Sequence, residues 1–221
     1  MTRHFVREFF DNKPLDGLRK AITGDWSDKN VKYHLDLLNP PPKAERILEI
    51  GCGLGRLLIP LYDRGAKLCM GVDASEAMIH EGRRLVGGRN IELVHCAGDG
   101  VIPIVLSGFF DFAFSIITFQ HIPDTEVVKR FLSEAHRLLA PGGQLSFQIL
   151  SHDVKPGREL WAYHDLRELQ VHLTSLGFAG VFQGRGVWAI YQGKKAGAAV
   201  KKPRAKKTGK TKPRKPRPKT G

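Results

Sequence analysis

Between residues 46 and 192 short apolar runs alternate with stretches whose apolar positions recur every three or four residues. Residues 46–50, 67–72, 91–96, 109–117 and 145–150 are nearly continuous apolar runs, the signature of strands buried on both faces. Residues 56–64, 75–85 and 124–139 have helical spacing; in the last, Val127, Val128, Phe131, Leu132, Ala135, Leu138 and Leu139 form one stripe. Pro60 is expected in the second turn of the first helix as a flaw or kink, and Glu76, Glu81, Arg83 and Arg84 on the outer side of the second. Pro141-Gly142-Gly143 is expected to stop the third. A further helix over 163–176 ends at Gly177, and 179–183 and 187–192 flank Gly184-Arg185-Gly186 as a hairpin. Residues 1–45 read as a helical lead-in, with Phe5, Val6, Phe9 and Phe10 at helical spacing and a second helix from Ser27 or Asp28 to about Asn39. Strand-helix repetition of this kind predicts a doubly wound α/β domain over 46–193, a parallel sheet closed by one antiparallel hairpin strand at or near an edge.

Composition changes this picture at one end only. The chain of 221 residues has 35 Lys+Arg and 22 Asp+Glu, a net charge of +13. Residues 194–221 hold 13 of the basic residues and no acid, so the first 193 residues are neutral. The basic character belongs to a tail rich in Lys, Arg and Pro, which is expected to be disordered and to bind polyanions nonspecifically, since it has no aromatic for base stacking. The three cysteines, Cys52, Cys69 and Cys96, never stand at CxxC spacing, which argues for reduced thiols in a cytoplasmic protein and against a disulfide framework or a zinc site. No signal-peptide pattern opens the chain, and the apolar stretch 101–119 is broken by Pro103, Gly108 and Asp111.

The sharpest motif is residues 47–56, ILEIGCGLGR. A buried strand ends in Glu49-Ile50 and turns into a helix through Gly51, Gly53 and Gly55, glycines that let a ligand approach the backbone. A dinucleotide loop needs GxGxxG, but Arg56 stands where its third glycine would be. Glu49 repels a pyrophosphate and attracts an ammonium or sulfonium. Asp73, at the end of the second strand, can accept both hydroxyls of a ribose, a role that either ligand class would use. Asp99, after the third, can accept an amino hydrogen from an adenine.

Five segments in order resemble the class I S-adenosylmethionine-dependent methyltransferases: LEIGCGLGR, GVDAS at 71–75, AGDGVIP at 97–103, FFDFAFSIITFQHIPD at 109–124 and LLAPGGQLSF at 138–147. The resemblance covers 44–150 well and 160–192 loosely, and implies a Rossmann-like, mostly parallel seven-stranded sheet. It implies that Glu49, Gly51, Cys52, Gly53 and Gly55 surround the methionine part of S-adenosylmethionine. Asp73 would hold the ribose, with Ala74 near the adenine and Asp99 and Gly100 beside its amino group; Ile116 to Phe119 would line the reaction side. Cys52 reads as a small loop filler and Asp111 as structural. No metal is implied.

His121, just past the fourth strand, stands near the expected methyl position and is either a general base or a polar loop residue that positions the substrate. His152, Tyr163 and His164 follow the fifth strand and read as surface-loop residues. The Asn/Asp-Pro-Pro-Tyr motif of base-amino methylation is replaced by Ser115-Ile116-Ile117-Thr118-Phe119-Gln120, and no cysteine follows a proline as a cytosine-carbon nucleophile would. The expectation is therefore a methyltransferase on a small-molecule acceptor. Two alternatives stand beside it: a methyltransferase docked on RNA, DNA or the ribosome by its tail, and a silent cofactor-binding module that binds nucleic acid.

Overall fold

The computed structural model describes residues 27–151, 161–185 and 187–197. The expected helix at 2–11, His152 and the tail beyond 197 lie outside the described residues. Helix α1 (Asp28–Leu38) is capped by the Ser27 hydroxyl, which accepts from Asn30 N, and stops where Asn39 turns left-handed. Then β1 (Arg46–Ile50), α2 (Leu58–Asp63), β2 (Leu68–Asp73), α3 (Glu76–Leu85), β3 (Ile91–His95) and β4 (Phe110–Ser115) alternate. A single 3₁₀ turn over Phe119–His121 leads to α4 (Thr125–Leu138), β5 (Leu139–Leu150), α5 (Leu166–Leu176), β6 (Phe178–Arg185) and β7 (Trp188–Lys195).

The seven strands form one sheet in the order β3-β2-β1-β4-β5-β7-β6. The first five neighbours run parallel, and β7 is antiparallel to both β5 and β6. Alternation along β1 divides the core: Ile47 packs with α1, α2 and α3 residues such as Leu35, Leu58 and Ile79, while Leu48 and Ile50 pack with Val127, Phe131 and Leu169 of α4 and α5. Helices therefore cover both faces, as the pattern predicts. Among the described residues no helix is long and apolar enough to cross a membrane.

Several details differ from expectation, each for a local reason. Helix α2 begins at Leu58, so Pro60 falls in its first turn, where a missing N–H costs nothing and no kink results. Glu81 is buried, not outward, and lies 3.5 Å from Arg84. Helix α4 passes directly into β5 at Leu139, and Pro141-Gly142-Gly143 is absorbed as a register shift between the Phe110–Leu139 and Phe112–Gln144 pairs. Strand β7 runs to Lys195, two residues into the expected tail; the Lys195 ammonium donates to the carbonyls of His136 and Leu139 at 2.7 Å each and neutralises the C-terminal end of α4. Asp111 is structural: it accepts from Arg46 N at 2.9 Å and pairs with the Arg46 guanidinium at 2.6 Å, at the opposite end of the sheet from the glycine turn.

A buried polar cluster anchors α1 to the start of α2. The Arg56 guanidinium, 7% exposed, donates to Asn30 Oδ1 at 3.2 Å and lies 3.1 Å from His34 Nδ1. Burial first, and the Arg56 charge second, lower the His34 pKa to about 4. The ring is therefore neutral and accepts from the guanidinium.

Two predictions follow from this packing. Tyr191 is fully buried and its hydroxyl has no hydrogen-bond partner. Tyr191→Phe should raise stability by about 1 kcal/mol in urea unfolding, since the desolvated hydroxyl is lost without breaking a bond; a clear loss would contradict this. Unfolded His34 binds its proton near pH 6.5 and folded His34 only near 4, so its contribution is lost as pH falls through that window. The stability gap between wild type and His34→Gln should narrow by up to about 3 kcal/mol between pH 7 and pH 4. Comparing the two proteins removes the opposite contribution of Glu49, whose pKa is raised; a pH-independent gap would refute the assignment.

Candidate active site

In a doubly wound sheet the ligand crevice opens where the strand order reverses, here between β1 and β4. A cavity of about 390 Å³ lies there, at the C-terminal ends of four strands. Ile50, Gly51 and Gly53 follow from β1, Asp73 to Ser75 from β2, Cys96 to Asp99 from β3, and Ile117, Thr118 and His121 from β4; Val127 and Phe131 of α4 close one side. The volume falls in the range of small-molecule sites.

The first turn is held from three directions. Gly51 N and Cys52 N both donate to Val72 O, at 2.7 and 3.0 Å. Gly51 has φ +75°, and a side chain there would run into that of Thr118. Thr118 Oγ1 lies 3.3 Å from the Gly51 carbonyl and 3.1 Å from that of Ile116, the two acceptors of its single proton. Gly53 N donates to Asp73 Oδ2 at 2.8 Å, and Ser75 N donates to Asp73 Oδ1 at 2.9 Å. One carboxylate thus fixes both the glycine turn and the N-terminus of α3.

Asp99 lines the cavity with its side chain folded locally, Oδ1 accepting from Val101 N at 3.0 Å. Gly100 does not reach the wall; a side chain there would strike Arg130 and the Val127 carbonyl, so this glycine lets α4 close over the site. At the end of β4, Ile117 adopts φ +56°, a strained conformation for a β-branched residue, with its N–H donated to Gln148 Oε1 at 3.3 Å. That twist sends Ile116 and Phe119 into the core and leaves Ile117 and Thr118 on the wall. His121 lines the cavity beside them, its Nε2 3.2 Å from the Gln120 amide nitrogen.

Glu49, Cys52 and Gly55 are absent from the wall. Gly55 packs against Val86 and Leu93. Cys52 is buried over Gly71, and burial, then Asp73 and Glu49, push its thiol far from ionisation. Glu49 is 3% exposed and its Oε2 has no hydrogen-bond partner. Burial raises its pKa well above the usual carboxylate value; Arg56 opposes this and Asp73 reinforces it. His164 is fully buried, not on a surface loop, between Thr125 Oγ1 and the Phe119 carbonyl at 3.1 and 3.3 Å; Tyr163 is half-buried. Of the expected segment 116–119, Ile117 and Thr118 line the wall; Met78, Ile122 and Pro123 were not singled out, and Val127 and Phe131 read simply as the core stripe of α4. Among the described residues no group of three His, Cys, Asp or Glu is placed to hold a metal ion.

Among the described residues the wall carries two acids and neither Lys nor Arg. That chemistry does not suit a pyrophosphate. It fits a nucleoside with a cationic amino-acid part, for which the unpartnered Glu49 oxygen and the side-chain-free cradle at Gly51 are further marks.

Comparison with known proteins agrees. Residues 47–143 match the methyltransferase domain family. The chain is 29% identical over 114 residues to a ubiquinone biosynthesis O-methyltransferase of Idiomarina loihiensis, covering 51% of this chain and 45% of that protein. It is 29% identical over 156 residues to the nocamycin O-methyltransferase of Saccharothrix syringae, covering 69% of this chain and 54% of that protein. The chain thus spans about half the length of these relatives. Magnesium protoporphyrin IX methyltransferase from Synechocystis PCC 6803, solved with bound SAH, has the same fold, with a TM-score of 0.66 at 20% identity over 88% of this chain and 100% of that one. The sheet order, the acidic wall around the glycine turn and the family match on residues 47–143 lead to one conclusion: the chain carries a class I S-adenosylmethionine-dependent methyltransferase domain.

Proposed function

We propose that the protein is a cytoplasmic methyltransferase acting on a small-molecule acceptor. The observation that carries the reading is the pairing of Asp73 and Asp99 on a cavity wall that has no Lys or Arg among the described residues, at the strand-order switch. S-adenosylmethionine, when bound, supplies a methyl group on a good leaving group, open to in-line displacement. Asp73 accepts from its ribose hydroxyls and Asp99 borders its adenine amino group. Glu49, which burial pushes toward the neutral form, would ionise behind the glycine turn as the ligand's ammonium binds. With so good a leaving group, positioning carries most of the rate, and the rigid first turn supplies it. His121 is the titratable group on the wall next to the end of β4, and takes the proton of an acceptor hydroxyl or ammonium. The relatives named above as O-methyltransferases support a small-molecule acceptor, and the three free, buried cysteines support a reducing compartment.

The cationic segment favours a second reading. Thirteen Lys and Arg without an acid in residues 194–221 suit an arm that docks the domain on RNA, DNA or another polyanion. A chain ending at Gly197 should turn over a small molecule as the full chain does; a large rise in Michaelis constant after the truncation would favour docking.

Asp73→Ala should weaken SAH binding by about 10- to 100-fold in calorimetry, the worth of hydrogen bonds to a charged group. An unchanged dissociation constant would remove Asp73 from the site. For His121→Ala, turnover should fall by about 10² to 10⁴, with SAH affinity kept within about threefold. A loss of turnover below tenfold would reduce His121 to a wall residue.

A further inference from the structure

The loop from β3 to β4 is apolar on its outside as well as its inside. Residues 101–106 read Val-Ile-Pro-Ile-Val-Leu. Ile102 and Ile104 are buried in the core that α4 covers, yet Val105 is 100% exposed and Leu106 43%. A clamp fixes them there. The Arg137 guanidinium donates to the Ile104 carbonyl at 2.9 Å and to the Leu106 carbonyl at 2.6 Å, one on each side of Val105. Glu134 pairs with the same guanidinium at 2.7 Å, and Gly108 N donates to the Arg137 carbonyl at 2.9 Å. Two adjacent aliphatic side chains are thus held in water by a backbone that the fold anchors firmly.

Their place coincides with the root of the cationic segment. Arg137 stands in the last turn of α4, at the end of the sheet opposite the cavity. The same helix end receives Lys195, whose ammonium donates to the carbonyls of His136 and Leu139. Ala196 N then donates to the Gly177 carbonyl at 3.0 Å, and Ala196 and Gly197 are exposed. Residues 198–221 therefore continue from the corner that carries Val105 and Leu106, and they hold 11 Lys and Arg and no acid. Lys194 is exposed at this corner too, while Asp111 and Glu134 beside it are already paired with Arg46 and Arg137.

We propose that this corner docks the domain on an anionic lipid surface, with Val105 and Leu106 entering the interface and the cationic segment lying along the headgroups. The inference goes beyond the methyl-transfer reading and does not depend on it. Cations draw a protein toward an anionic leaflet but act only within a Debye length of it, so attachment by charge alone is weak at physiological salt. Apolar side chains that leave water at the interface supply the second contribution that stable attachment needs. The aliphatic pair decides between lipid and nucleic acid: a phosphate backbone gives Val105 and Leu106 nothing to bury against, and residues 194–221 have no aromatic to stack on a base. The cavity lies at the far end of the sheet, so a docked domain keeps its site open to a soluble acceptor.

The test is cosedimentation of the full chain with vesicles of phosphatidylserine and phosphatidylcholine at about 3:7, and of phosphatidylcholine alone, in about 0.15 M salt. The mixed vesicles should bind the chain at least about tenfold more tightly than the neutral ones. Val105→Gln with Leu106→Gln should weaken that binding at least about threefold and leave binding to polyuridylate within about twofold, since the charges are unchanged. Val105→Phe should tighten vesicle binding, and it decides even if the double variant fails to fold. No binding to the mixed vesicles, or equal vesicle binding by wild type and both variants, would overturn the proposal. Polyuridylate at equal negative charge that strips the chain from the vesicles would overturn it in favour of a nucleic-acid partner.

Discussion

The site depends on what the Asp73 carboxylate holds. It accepts from Gly53 N and Ser75 N, and so ties the turn after β1 to the start of α3 across two parallel strands. Without it, two backbone N–H groups at the crevice would lose their acceptor, and the glycine turn would be held only by Val72 O and Thr118. The carboxylate that we assign to the ribose therefore also builds the wall it stands on. Structural and ligand roles can share one side chain because an ionised carboxylate offers about four acceptor positions.

Around that link, the sheet divides rigidity from chemistry. The ends of β1, β2 and β4 are fixed by backbone bonds and buried rings, while the ionisable groups of the wall collect on one edge: the Asp73 and Asp99 carboxylates and the His121 ring. Glu49 shows the cost of this arrangement. Its buried, unpartnered oxygen destabilises the free domain, and a carboxyl held above its usual pKa beside a ligand site is the kind of strain that a bound cation relieves. Arg56 moderates that cost from the far side, where His34 and Asn30 hold its guanidinium.

Much of this was legible in the residues because local and global signals agree. Ser27, Ser75 and Asp124 cap the helices they precede, and the strand and helix periods switch where the elements switch. Gly51, Gly53, Asp73, Ala74, Asp99 and His121 were singled out by pattern and stand together on one wall. The failures share a cause, since one-dimensional spacing does not show a twist or a pairing. The left-handed Ile117 reverses which of residues 116–119 face the cavity. The Gly100 motif position serves the packing of α4. Glu81 looked outward by helical period but is buried.

The central claim is that this edge transfers a methyl group to a small molecule. Methyl-tritiated S-adenosylmethionine and the purified full-length chain, mixed with cell extract separated into RNA, DNA, protein and small-molecule fractions, test it most directly. The account predicts label in the small-molecule fraction. Label confined to RNA, DNA or protein, or no enzyme-dependent label in any fraction, would contradict it.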